Sequence, residues 1–455
     1  MASLPFQSRA AGLAAALLLA GCAKPSDGKI HLSYWEKWSG AEEDNMEQAV
    51  AQFNRSQNRI VVDYLSVGES PQKTLLATAG GDPPDIAGIY LVNICSFADR
   101  NALLPLDDFM REDGTPPAQF LGRYAPAYAD IGTYRGRTWG LPSTPSTFAL
   151  YWNKELFRAA GLDPEQPPRT LAEMNAMSAR LTVRDSAGNL KQVGFLPQQA
   201  GGCVWSAPQW FGGQLFDGTH VTIGTDPANL RAFQWLGGFS QAYGIDNIRR
   251  LAASFGTLAT ADDPFNSGRV AMTIDGPWRD HYIKQFAPGL KYGAAGWPAA
   301  QPGVNDFTVA ESDMLVIPRG CKHPREAWEF LRFLSRPNFA AQSFDELSGV
   351  ELLCFLQEKP SPFTQWSPYF AAHHPNPNVA IFRRLAQSPH AVSVPKMGIF
   401  EEYSRELYTA FDEVRLGLEP PEEALQKCQA RMASSWAWQQ ESLARRDKET
   451  AAATP

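Results

Sequence analysis

The chain is poor in the groupings that most enzyme chemistry needs. Its six cysteines are widely spaced, with no Cys-x-x-Cys pair and no zinc-like cluster, which argues against a bound metal. No run of like charge stands out, and a net charge of -7 leaves no basic stripe for a nucleic acid. A Gly-x-x-x-x-Gly-Lys loop is absent, so the chain does not hold ATP by a P-loop. His-Glu-x-x-His and Gly-x-Ser-x-Gly are absent too, which removes the common zinc-protease and serine-hydrolase signatures. The turn Asp185-Ser186-Ala187-Gly188-Asn189 has no calcium-loop spacing beyond it. His373-His374, the one histidine pair, lies in a Pro/Asn loop with no third ligand nearby, and solvent exposure is expected there. No cofactor is expected.

What is present is the makeup of a globular protein with a proper core. Hydrophobic residues are 44% and charged residues 20% of the 455-residue chain, a length that fits two domains. Thirteen tryptophans is a generous number, some for the core and some available to a carbohydrate. Residues 1–21 read as a secretory signal, with Arg9 as a thin positive start and Ala11 to Ala20 as an apolar run too short to span a bilayer. Leu19-Ala20-Gly21-Cys22 resembles a bacterial lipobox, in which cleavage before Cys22 precedes lipidation of its thiol. An ordinary signal with a chance cysteine is the alternative. Lipidation would anchor an exported domain on the periplasmic or cell-surface side of a bacterial membrane, with residues 22–29 as a tether. Cys95, Cys203, Cys321, Cys354 and Cys428 remain. Export permits disulfides, but five is an odd number and no pairing is fixed.

Beyond the tether, strand and helix patterns alternate. Ile30 to Trp35, Ile60 to Leu65 and Asp85 to Tyr90 read as strands. Met46, Val50 and Phe53 repeat at helical spacing after a Ser39/Glu42 capping box, and Pro71 to Ala79 is a second helix. This order implies an α/β fold with a mostly parallel sheet, whose ligands bind beyond the carboxyl ends of the strands. Trp35, Trp38, Tyr90 and Asn93 sit at or just after such ends. Gly201 to Gly213 reads as an irregular glycine-rich loop, and Trp205 and Trp210 within it are better explained by a binding surface than by core.

The organising stretch is Phe265 to Trp278. Asn266-Ser267-Gly268 is a turn, Val270, Met272 and Ile274 alternate as a strand, and Asp275-Gly276-Pro277 breaks it before Trp278. An indole and a carboxylate at a strand end suit a sugar, one stacking on the ring and the other accepting from hydroxyls. A tryptophan that only fills core is the equal alternative. The stretch resembles the signature of the family 1 extracellular solute-binding proteins, the maltose-binding-protein-like group that serves ABC sugar importers. Gly81-Asp82-Pro83-Pro84-Asp85-Ile86, Leu104-Pro105-Leu106-Asp107-Asp108, Gly136 to Pro142 and Leu150 to Phe157 continue the likeness in family order. So do Pro168-Arg169-Thr170, Lys322 to Leu331 and Gly417 to Leu425. Where the family usually has Tyr-Tyr-Asn-Lys, the second aromatic here is Trp152, and core packing accounts for at least one of Tyr151 and Trp152.

The resemblance implies a two-lobed periplasmic-binding-protein fold of type II-like topology, each lobe a mostly parallel sheet flanked by helices. Residues 30–143 and about 312–355 would form the N-terminal lobe. Residues 144–311 and about 356–445 would form the C-terminal lobe, and 446–455 a polar, frayed tail. Crossings between lobes are expected near Pro142 to Thr147, Val309 to Met314 and Phe355 to Ala380. The implied function is carbohydrate capture by a monomer for an ABC permease with separate ATPase subunits, without enzyme activity. Candidate ligand-binding residues are Trp35, Trp38, Tyr90, Asn93, Ser146, Trp205, Trp210, Asp275, Trp278, Glu311 and Ser312. Two other exported classes would use the same cleft: a glycoside hydrolase with Asp275 and Glu311 as its carboxylates, and a polysaccharide-adhesion lipoprotein.

Overall fold

A computed structural model describes residues 27–453, so the signal, Cys22 and most of the tether lie outside the described residues. The first lobe opens with β1 (Ile30–Glu36), α1 (Ala41–Ser56), β2 (Ile60–Ser66), α2 (Ser70–Ala79), β3 (Ile86–Tyr90) and α3 (Asn93–Asp99). On α1, Met46, Ala49, Val50 and Phe53 recur at helical spacing and all are buried, which seats the helix on the sheet. Its amino end is Gly40 at φ 62°, with no side-chain cap. The expected Ser39/Glu42 capping box does not form, because the Glu42 carboxylate lies 3.5 Å from the Lys359 ammonium instead.

The chain then runs through β4 (Leu141–Thr147) and, after Phe148 alone, into β5 (Ala149–Asn153). The second lobe follows with α4 (Cys203–Trp210), β6 (Met272–Asp275), α5 (Trp278–Phe286) and β7 (Tyr292–Ala295). The long strand β8 (Thr308–Val316) returns to the first lobe, followed by α6 (Pro324–Leu334), α7 (Gly349–Leu356) and β9 (Ala391–Val392). Helices α8 (Phe400–Arg415) and α9 (Pro421–Ala453) close the described chain. The face of α6 that spacing predicts to be buried, Ala327, Phe330, Leu331 and Leu334, is buried.

The first sheet has the order β9-β8-β3-β1-β2, with β4 also paired to β8. Strand β1 lies parallel to β2 and β3, whereas β8 runs antiparallel to β3 and β4. The second sheet is β6-β5-β7, and both flanking strands run antiparallel to β5. The α/β class therefore holds, but parallel pairing is limited to β1 with β2 and β3 and to β8 with β9, and the other strand pairs of the two sheets are antiparallel. In the second sheet β5 enters from the crossing side and slots between two strands joined by α5.

Two large cores flank the crossings. Leu141, Ala310 and Met314 to Ile317 pack in the first, and Phe148, Phe307 and Val309 in the second. Phe363 and Ala386 belong to the first core although the sequence places their segment with the second lobe, and Met397 returns to the second. The expected frayed tail is helical to Ala453, and Gln439 and Arg446 of α9 bond to Asp99 of α3. The five described cysteines are all unpaired.

Candidate ligand-binding cleft

Between the lobes, beyond the carboxyl ends of β1 and β3, lies a cavity of about 440 Å³. Trp38 and Tyr90 come from the first lobe and Trp278, the first residue of α5, from the second. The floor is the β4/β8 ladder. Its register sets Ser146 opposite Glu311 and Thr144 opposite Asp313, so the four side chains share one face. Trp278 reaches the cavity because its indole folds back over Gly276. A Cβ at Gly276 would come within 2.4 Å of that ring, so any side chain there would have to displace the indole. Phe148, the residue between β4 and β5, meets the same indole edge-on at 5.5 Å.

Asp313 is the electrostatic hub. Its carboxylate accepts from Lys37 Nζ at 2.8 Å, Trp38 Nε1 at 3.2 Å and Thr144 Oγ1 at 2.9 Å. Lys37 also pairs with the fully buried Glu36 at 3.1 Å and lies 4.6 Å from the Tyr90 ring centre. Burial acts to lower the Lys37 pKa, but Asp313 and Glu36 outweigh it and hold the ammonium above the ordinary lysine range. Lys359 pairs with Glu42 and sits between the two indoles, 5.7 Å from Trp38 and 5.9 Å from Trp278. Both lysines are thus already neutralised. Glu311 is different: burial, helped by the Asp313 charge and opposed by Lys359, pushes its carboxyl up to about 7. The cleft therefore presents two indole faces, hydroxyls and one carboxyl poised between its two protonation states. A neutral polyhydroxylated ring suits that set.

A larger groove of about 730 Å³ runs between α3, α8 and α9. It draws on helix surfaces and not on strand ends, and its Asp99 carboxylate is already taken by Gln439 and Arg135. The cleft is the better site.

The profile of the bacterial extracellular solute-binding protein family matches residues 38–339. The chain belongs to this family. It is similar to a binding protein of Brucella abortus, at 24% identity over 92% of this chain and 97% of the relative. UgpB, a periplasmic sn-glycerol-3-phosphate-binding protein of Yersinia pseudotuberculosis, is 24% identical over 68% of this chain and 71% of its own. Among solved structures, CpMnBP1 with mannobiose bound superposes with a TM-score of 0.75 at 26% identity, covering 88% of this chain and 99% of that one. The GacH receptor of Streptomyces glaucescens, solved unliganded and with acarbose, gives 0.69 at 20% identity over 90% and 99%. At that identity the likeness speaks for the two-lobed fold alone. The family and these neighbours are binding proteins and not enzymes.

Of the residues singled out in this solute-binding protein's sequence, Trp38, Tyr90, Ser146, Trp278, Glu311 and Ser312 line the cavity. The others do not. Trp35 is half-buried along β1. Asn93 is buried, its side chain accepting from the Tyr90 amide and donating to Glu401 of α8 at 2.6 Å, a tie between lobes. Trp205 and Trp210 lie on α4, where a loop was expected. Trp205 packs edge-on against Phe400, and Trp210 is wholly buried against Trp235 and Trp297. Asp275 is buried with its carboxylate gripped by Arg279 at 2.5 and 2.8 Å, and Arg279 also holds Asp263 at 2.7 Å. It is a structural ion pair. His374 is half-buried, not exposed, and burial pulls its imidazole down to about 4.

Sequence reasoning missed Lys37, Glu42, Thr144, Asp313 and Lys359. Period-two parity with Ser146 and Glu311 would have found Thr144 and Asp313. Nothing local marks Lys359.

Proposed function

We propose that this protein is the extracytoplasmic substrate-binding component of an ABC importer, capturing a neutral carbohydrate between its lobes and delivering it to a membrane permease. The observation that supports this most is the cleft, where indoles from both lobes face a polar floor laid on the crossing strands. Mannobiose in CpMnBP1 favours a sugar. The ligand of UgpB is a phosphate ester, but among the described residues no arginine lines this cleft and its two lysines are paired with carboxylates. A phosphate would have to displace them.

A sugar that touches both lobes favours the closed form by its differential affinity, and the closed form is what a permease would read. The β4/β5 junction, β8 and the segment 363–397 serve as hinges in this reading. Lipid on Cys22 would keep the monomer at the membrane surface; Cys22→Ala should release it, and a wild-type mature chain that is soluble and starts elsewhere would remove the anchor. Hydrolysis by Asp275 and Glu311 is disfavoured because Arg279 occupies the Asp275 carboxylate.

A thermal-shift screen across neutral sugars, polyols and sn-glycerol 3-phosphate tests the reading. Ligand at a hundred times its Kd should add about 2.7 kcal/mol of stability. A shift with glycerol phosphate alone, or turnover of any sugar, would overturn it.

A further inference from the structure

The cleft continues past Trp278. A second cavity of about 290 Å³ adjoins the first, and Ser39, Glu42 and Trp278 line both. Tyr282 and Phe286, one turn apart on α5, stack at 6.4 Å with planes 17° apart and give this chamber an aromatic wall. Gln357, just past the end of α7, also lines the chamber. Its side chain is 7% exposed, and neither Nε2 nor Oε1 has a hydrogen-bond partner among the described residues. Buried polar groups are almost always paired, so an amide with both its donor and its acceptor idle calls for an explanation. Adjacent hydroxyls of a sugar ring supply the complement, each able to donate and to accept. A rotation of the flexible Gln357 side chain would turn the amide onto the chamber surface. The charged groups nearby are committed, Glu42 to Lys359 and His281 to Glu358 at 3.5 Å, which again fits an uncharged ring.

We propose that this second chamber is a further sugar subsite, with Gln357 reading a hydroxyl pair and Tyr282 as the stacking platform. The ligand is then an oligosaccharide that continues past Trp278, not a short sugar confined to the first chamber. This rests on the carbohydrate reading above.

Isothermal titration of the full chain with manno- and malto-oligosaccharides of one to four rings tests it. Affinity should rise tenfold or more when the ring that reaches the second chamber is added. Gln357→Leu and Tyr282→Ala should each abolish that rise and leave the affinity for the shorter sugar within twofold. Tyr282 is half-buried at the chamber wall, so its variant should fold even if the Gln357 variant does not. Sugars that bind equally well at every length, or variants that weaken every length alike, would overturn the subsite and leave the carbohydrate reading standing. No binding by either series would overturn both.

Discussion

Replacing Trp278 with alanine separates a ligand platform from a core residue. Its indole is half-buried, packed edge-on by Phe148 and laid over Gly276, with Lys359 Nζ 5.9 Å from its ring. The rest of the ring borders the cavity. Truncating a central aromatic anchor costs about 2 kcal/mol or more of binding, which is roughly a thirtyfold loss of affinity. The stability cost should be smaller than the 3–5 kcal/mol of a fully buried tryptophan, about 1–2 kcal/mol. Trp210→Ala is the control: its indole is wholly buried among Trp235, Trp297 and Phe307. It should lose about 3–5 kcal/mol of stability and bind normally once folded. Melting curves and calorimetric titration on the same samples read both effects. Intact affinity in Trp278→Ala beside a large stability loss would show that the ring is core.

Three further outcomes are expected. Glu311 titrates near 7 in the folded chain, above the usual value of about 4.3, so wild-type stability should fall as pH rises between those values. Glu311→Gln should be the more stable by about 3–4 kcal/mol at pH 8 and match wild type near pH 4; a urea-melt difference independent of pH would refute this. Arg279→Met strands Asp263 and Asp275, and with all three buried the loss should be about 3–5 kcal/mol; urea melts showing a loss below about 1 kcal/mol would refute the assignment. Small-angle scattering should show compaction on saturation with sugar, and an unchanged radius would argue against hinge closure.

The first lobe was legible because its signals are local. The spacing of Met46, Val50 and Phe53 and of Ala327, Phe330, Leu331 and Leu334 states which faces are buried. Trp38, Tyr90 and Trp278 were found because they follow the ends of readable elements. Misreadings fall where distant partners decide. Gly201 to Gly213 has the composition of a loop, yet Trp210 is enclosed by Trp235 and Trp297 and its segment is helical. Asp275 sits where a sugar acceptor belongs, but Arg279 one turn later takes its carboxylate. Lys359 comes from a Pro-rich stretch with no periodicity and reaches the cleft only through the fold.

The most direct measurement is a crystal structure of the chain saturated with the neutral sugar that raises its melting temperature most. A sugar ring should lie against Trp278, with hydroxyls within hydrogen-bond distance of Glu311 and Ser146. A ligand bound instead in the groove between α3, α8 and α9, or a cleft left empty at saturation, would contradict the placement of the site.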